Sequence, residues 1–119
     1  KNYRLSDENG SQVIELDVVI NGETQRLRGE GNGPISAILN ALQLPIDVLN
    51  YEERSISSGA HAKALALIEL QVQGTGKSAF GAGVHDNIVT SSIEAIIAAT
   101  NRLIDQGVLS TEQVIAAAV

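Results

Sequence analysis

Few residues in this chain are typed and spaced for chemistry. His61 and His85 are the only imidazoles and stand in no His-x-His or His-x-x-x-His arrangement that would put two ring nitrogens on one metal. Ser57 and Ser58 lie close to His61 in sequence, yet no Gly-x-Ser-x-Gly elbow presents a nucleophile. Glu52 and Glu53 form an acidic pair, but neighbouring strand residues point to opposite faces, which separates an acid from its base. The absence of cysteine excludes disulfides, thiolate ligands and thiol nucleophiles, and fits a cytoplasmic location. Gln71–Ser78 ends in Gly-Lys-Ser like a phosphate loop, but Gln71 occupies the place of the required first glycine. That segment also sits between two strands, so it reads as a hairpin turn. Catalysis within the chain is not expected.

More informative are two glycine-rich stretches, Gly29-Glu30-Gly31-Asn32-Gly33-Pro34 and Gly81-Ala82-Gly83, each read as the junction between a strand and a helix. Glycines there permit close backbone approach, and N–H groups at a helix start favour a carboxylate or another anion. The competing reading is that they only allow turns and tight helix packing, and the residues alone leave the two readings even. If an anion is held, Ile35, Val48, Tyr51 and Ile88 supply an apolar lining beside it, which suits a small apolar amino acid.

The elements that position these junctions follow from periodicity. Val13–Ile20 alternates with Ile14, Leu16, Val18 and Ile20 on one face, a strand that turns at Asn21-Gly22 and returns over Thr24–Arg28. Tyr3–Leu5 is a shorter strand ahead of Asn9-Gly10. Pro34 opens a helix carrying Ile35, Ile38, Leu39 and Leu42, which stops before Pro45. In the second half Ile46–Ser58 is extended, Lys63–Gln73 is an aliphatic strand, and Gly74-Thr75-Gly76 turns the chain into Ser78–Phe80. Asp86 or Asn87 caps a helix striped by Val89, Ile93, Ile96, Ile97, Thr100, Leu103 and Ile104 and closed by Gly107. Ser110 and Gln113 form a capping box for a short last helix through Ala118. The halves match when superposed, with Gly29 and Gly31 over Gly81 and Gly83. The expected fold class is therefore α+β: two pseudo-symmetric β-β-β-α units with helices packed on antiparallel sheets, plus a short C-terminal helix.

With 119 residues the chain fits a single domain, with repeat one over about 3–43 and repeat two over about 46–106. Apolar residues make up 44% but aromatic ones only 3%, so the core must be aliphatic. A formal charge of −6 repels phosphate backbones and anionic lipid, so neither nucleic acid nor a membrane is an expected partner. No uninterrupted apolar run approaches the ~18 residues of a membrane span. Methionine is absent even from position 1, so the chain is read as a piece excised from a longer one.

Taken together, Gly29–Ala37, Val48–Glu53, Ser58–Ala62, Phe80–Ser92 and Ala99–Arg102, in this order and spacing, resemble the C-terminal regulatory domain of the 2-isopropylmalate synthases. The resemblance covers roughly positions 3 to 104. It implies two β-β-β-α units that form a homodimer, and a leucine effector that feedback-inhibits a metal-dependent (β/α)₈ barrel in the same polypeptide. That barrel condenses acetyl-CoA with 2-oxoisovalerate. The divalent metal belongs to the barrel, and this chain itself is expected to need no cofactor.

Carried over by position, the effector pocket comprises Asn32, Gly33, Ile35, Val48, Tyr51, Ser55, Ala62 and Ile88. The implied scheme has N–H groups near Asn32-Gly33 or Asn87-Ile88 taking the carboxylate, while Ile35, Val48 and Ile88 bury the branched side chain. Ser55 stands where relatives commonly carry Ala and makes the pocket more polar; Asn50 replaces a frequent Asp. Asp86 and Asn87 either meet the ligand's ammonium or cap the helix, with capping preferred. Two alternatives stay open: the isoleucine-sensing domain of a citramalate synthase, and a dimerisation module with no ligand.

Overall fold

The computed structural model describes residues 3–20, 22–58 and 61–109. Its elements run β1 (Tyr3–Glu8), β2 (Ser11–Ile20), β3 (Glu23–Gly31), α1 (Pro34–Leu42), β4 (Ile46–Ser58), β5 (His61–Val72), β6 (Ser78–His85) and α2 (Ile88–Asp105). The chain divides into two compact units with the boundary at Leu44/Pro45. Each is a three-stranded antiparallel sheet in sequential order, β1-β2-β3 or β4-β5-β6, carrying one helix. This is the α+β duplication expected from the repeat. The helix expected over Ser110–Ala118 lies outside the described residues.

In the first unit Asn9 and Gly10 both take positive φ, 52° and 83°, the pairing that lets a two-residue turn follow the twist of its strands. The strands run longer than the alternation indicates: β1 continues to Glu8 and β3 to Gly31. Ile14, Leu16 and Leu27 are buried on the face covered by Ala37, Ile38, Ala41 and Leu42 of α1. Each such aliphatic side chain taken out of water contributes about 1.5–3 kcal/mol. Pro34 begins α1, and Gln43, at φ 53°, ends it by donating its N–H to the Leu39 carbonyl.

In the second unit Ala66, Ile68, Leu70 and Val72 of β5 are buried against α2, which presents Ile93, Ala95, Ile96, Ala99 and Leu103. Helix α2 ends in a Schellman arrangement, with Gly107 at φ 76° and Val108 N–H donating to the Leu103 carbonyl. Gly74 and Gly76, at φ 79° and 71°, make the β5–β6 connection, where Val72 and Lys77 are joined by a backbone hydrogen bond. The Gly-Lys-Ser segment is thus a turn.

The Gly-x-Gly pairs correct one expectation. Gly29 and Gly31 lie inside β3 and Gly81 and Gly83 inside β6, so none opens a helix. A Cβ on Gly29 would enter the Ala37 carbonyl and come within 2.7 Å of Ala41 Cα. On Gly81 it would strike the Ala95 carbonyl, and on Gly83 it would strike the Ser91 carbonyl and lie 2.9 Å from Ala95 N. These glycines let a helix backbone rest on a strand backbone, the packing reading rather than the anion reading. The structure adds what faces them: small residues of the helices, Ala37, Ala41, Ser91, Ala95 and Ala99.

Gly81→Ala is therefore expected to lower the unfolding free energy by about 1–3 kcal/mol, as overpacking does. Gly33→Ala, at an extended φ of −155° with nothing within 4 Å, should change it by less than about 0.5 kcal/mol. Urea unfolding of the two variants checks the contrast.

Candidate functional site

The site of interest begins with a register irregularity. Ile46 pairs with Val72 and Val48 with Leu70, but the ladder slips between Val48 and Asn50 and leaves Leu49 as an extra, exposed residue. The bulge changes which alternate residues of β4 face the helix, turning Tyr51 and Ser55, opposite Ile68 and Ala64, to the α2 side. Tyr51 and the Ser92 hydroxyl lie 2.8 Å apart, and the Ser92 hydroxyl donates to the Ile88 carbonyl at 2.9 Å. Since serine has one hydroxyl proton, Tyr51 is the donor in the first bond. Burial pushes the Tyr51 phenol up to about 12, with the nearby Glu53 carboxylate adding to the shift. A neutral phenol thus tethers β4 to the first turn of α2.

Ser55, Ala62 and Ile88 line one depression of about 340 Å³ near this tether, together with Glu53, Arg54, Lys63, Ala64 and Asp86. It is open to solvent, with both charge signs at its rim and Ile88 38% exposed. Three of the sequence-predicted residues therefore share one hollow, and Tyr51 stands on the same side of the same strand. Val48, half-buried opposite Leu70, is not in its lining. Asn32, Gly33 and Ile35 belong to the other unit, where Asn32 is exposed, Gly33 is the N-cap of α1 and Ile35 lies in its first turn.

The two helix starts differ. Asn87 caps α2 with its own side chain, Oδ1 accepting from Val89 N–H at 2.8 Å and Thr90 N–H at 3.1 Å, while Asn87 N–H donates to His85 Nδ1. The capping reading holds for Asn87, whose side chain takes up the N–H groups of Val89 and Thr90. No side chain caps α1. Asp86, at the rim of the hollow, is exposed.

Sequence reasoning missed Ser92, and with it Glu53 and Lys63 at the hollow. The signal for Ser92 was present: Ser91 and Ser92 are fully or nearly buried in an otherwise aliphatic and alanine-rich helix face, where a hydroxyl must find a partner. A larger hollow of about 490 Å³ opens elsewhere in this unit, among Leu67, Glu69, Phe80 and Ala82. It holds only Tyr51 of the predicted set. Among the described residues no group of three or more His, Asp or Glu is placed to hold a metal, and no helix is long and apolar enough to cross a membrane.

The chain is thus a duplicated β-β-β-α scaffold with an open hollow beside the start of α2, its rim bearing charges of both signs. Residues 1–104 match the family model of the LeuA allosteric (dimerisation) domain, and the chain belongs to that family. Its relatives include the 2-isopropylmalate synthase of Pseudomonas syringae pv. tomato DC3000, 39% identical over 104 residues, which are 87% of this chain and 18% of the relative. The synthase of Paraburkholderia xenovorans LB400 is 42% identical over 100 residues, 84% of this chain and 18% of the relative. That of Azotobacter vinelandii is 38% identical over 106 residues, covering 89% and 19%. The chain thus spans less than a fifth of the length of these relatives.

The Tyr51 shift makes a pH prediction. A phenol whose folded value lies above its ordinary 10 contributes stability that is fully present below pH 10 and is lost as pH rises toward 12. Denaturant midpoints should fall more steeply across pH 10–12 in the parent chain than in Tyr51→Phe; parallel curves would contradict the assignment. Separately, Asn87→Ala should cost about 0.5–2 kcal/mol through the lost cap, measured by thermal unfolding at neutral pH.

Proposed function

We propose that this chain is the effector-sensing and dimer-forming part of a 2-isopropylmalate synthase, binding leucine so that the product of the pathway restrains its synthesis in the cytoplasm. The observation that carries the reading is the hollow at the start of α2, where Ser55, Ala62 and Ile88 combine apolar surface with charges of both signs. A free amino acid is a zwitterion, so Asp86 or Glu53 suits its ammonium and Lys63 or Arg54 its carboxylate. Ile88 offers the branched side chain an apolar wall. Asn32, Gly33 and Ile35, at the helix start without a side-chain cap, are a second place suited to a carboxylate.

The volume of about 340 Å³ lies at the small end of the range for ligand pockets. One methylene is worth only about 1–3 kcal/mol in an apolar pocket, so leucine is told from isoleucine and valine by shape. The tether from Tyr51 through Ser92 to the Ile88 carbonyl gives occupancy a path to α2. Inhibition follows only if leucine binds one arrangement of the domain better than another, since equal affinity shifts nothing.

Calorimetric titration with leucine, isoleucine, valine and D-leucine tests this. Leucine is expected to bind tightest, and Ile88→Ala to weaken it by roughly ten-fold or more, the equivalent of about 1.5–3 kcal/mol of lost burial. Preference for isoleucine would instead make the parent a citramalate synthase. No heat from any amino acid on a folded dimer would leave only the assembly role.

A further inference from the structure

A carboxylate and a guanidinium of the second unit border one hollow without meeting. On the sheet face turned away from α2, successive rows across β4, β5 and β6 read Asn50/Glu69/Phe80 and Glu52/Leu67/Ala82. Glu52 is neutralised by Arg54 at 2.8 Å. Half-buried Glu69 is instead fixed on both oxygens, Oε1 accepting from Asn50 Nδ2 at 2.7 Å and Oε2 from Ser78 Oγ at 2.8 Å. Both donors are neutral, so the carboxylate is oriented but carries no counter-charge. A charge partly withdrawn from water in this way favours a cationic partner. Arg102, near the end of α2, lines the same hollow and forms no ion pair among the described residues.

The first unit is a control for this arrangement. On the equivalent face of its sheet, Arg26 pairs with Asp17 and Glu15, and Arg28 with Glu8, so opposite charges close on one another. In the second unit they stay apart across a hollow of about 490 Å³, inside the ~300–1,000 Å³ range of small-molecule sites. Leu67 and Ala82 give it apolar surface, and Phe80, the only phenylalanine in the chain, borders it while 61% exposed. Separated, uncompensated charges of both signs fit a zwitterion. Its ammonium meets Glu69, and its carboxylate takes the two-pronged donor set of the Arg102 guanidinium. The exposed ring selects what lies between them, because an aromatic side chain set on Phe80 gains more than its buried area alone provides.

We propose that the hollow bordered by Glu69, Phe80 and Arg102 is a second amino-acid site, taking a free α-amino acid with an aromatic side chain. It shares no lining residue with the hollow beside Ile88, so it stands or falls separately from leucine binding there. Leucine has no ring to set on Phe80 and binds this second site several-fold more weakly.

The test is a series of amide correlation spectra of the isotopically labelled chain with L-phenylalanine, phenethylamine and 3-phenylpropionate, the last two keeping only the ammonium or only the carboxylate. L-phenylalanine should move Glu69, Phe80, Ala82 and Arg102 saturably while Ser55 and Ile88 stay in place. Each single-charge probe should bind about ten-fold more weakly, the effect of losing one charged hydrogen bond. Glu69→Gln should weaken L-phenylalanine and phenethylamine by a similar factor and leave 3-phenylpropionate unchanged. Arg102→Gln should weaken L-phenylalanine and 3-phenylpropionate and spare phenethylamine. Absence of saturable shifts with every probe, or shifts confined to Ser55 and Ile88, overturns the site. So does a variant that weakens all three probes alike or none. Should either variant fail to fold, the parent chain still decides, since equal affinity for the three probes contradicts the proposal.

Discussion

Contact between helix backbone and strand backbone at Gly29, Gly81 and Gly83 is the constraint on which the rest depends. With any larger residue there, the carbonyls of Ala37, Ala95 and Ser91 could not rest on the sheet. The price of such closeness is the loss of side-chain volume at the seam, and the chain makes it good with aliphatic residues on either side. Ile14 and Ile38 do this in the first unit, Ile68, Leu70, Ile96 and Leu103 in the second. An aromatic core would hold the layers apart, which accounts physically for a chain with so few aromatic residues.

Close approach of α2 also brings a hydroxyl-bearing helix face within reach of β4. The bulge at Leu49 then sets the parity of the strand so that Tyr51 meets Ser92 and Ser55 lies toward the hollow beside Ile88. Tight packing, a bulge and a buried hydroxyl chain thus act in series to shape one small depression. Asn87 fixes the start of the same helix by satisfying the N–H groups of Val89 and Thr90.

Much of this was legible in the sequence. The duplication, the antiparallel sheets, Asn87 as a cap and the turn at Gly74–Gly76 follow from alternation, glycine placement and capping chemistry. In the sequence the glycine pairs carry two equal readings, because a glycine that admits a ligand and one that admits a helix look alike until the neighbour is known. Element ends were missed for a related reason: glycines usually end strands, and here β3 and β6 run through them because the helix occupies the space a side chain would take. The bulge left no signature in composition, so the facing of Tyr51 and its pairing with Ser92 could not be read. Charged residues at the hollow, Glu53 and Lys63 among them, looked like ordinary solvated strand positions.

The central claim remains that the hollow beside α2 receives leucine, and amide correlation spectra of the isotopically labelled chain during leucine addition address it most directly. Saturable shifts are expected at Ser55, Ala62–Ala64 and Ile88–Ser92, with residues Phe80 and Ala82 of the outer face unmoved. An unchanged spectrum at saturating leucine, or shifts that avoid both Ser55 and Ile88, would contradict the account.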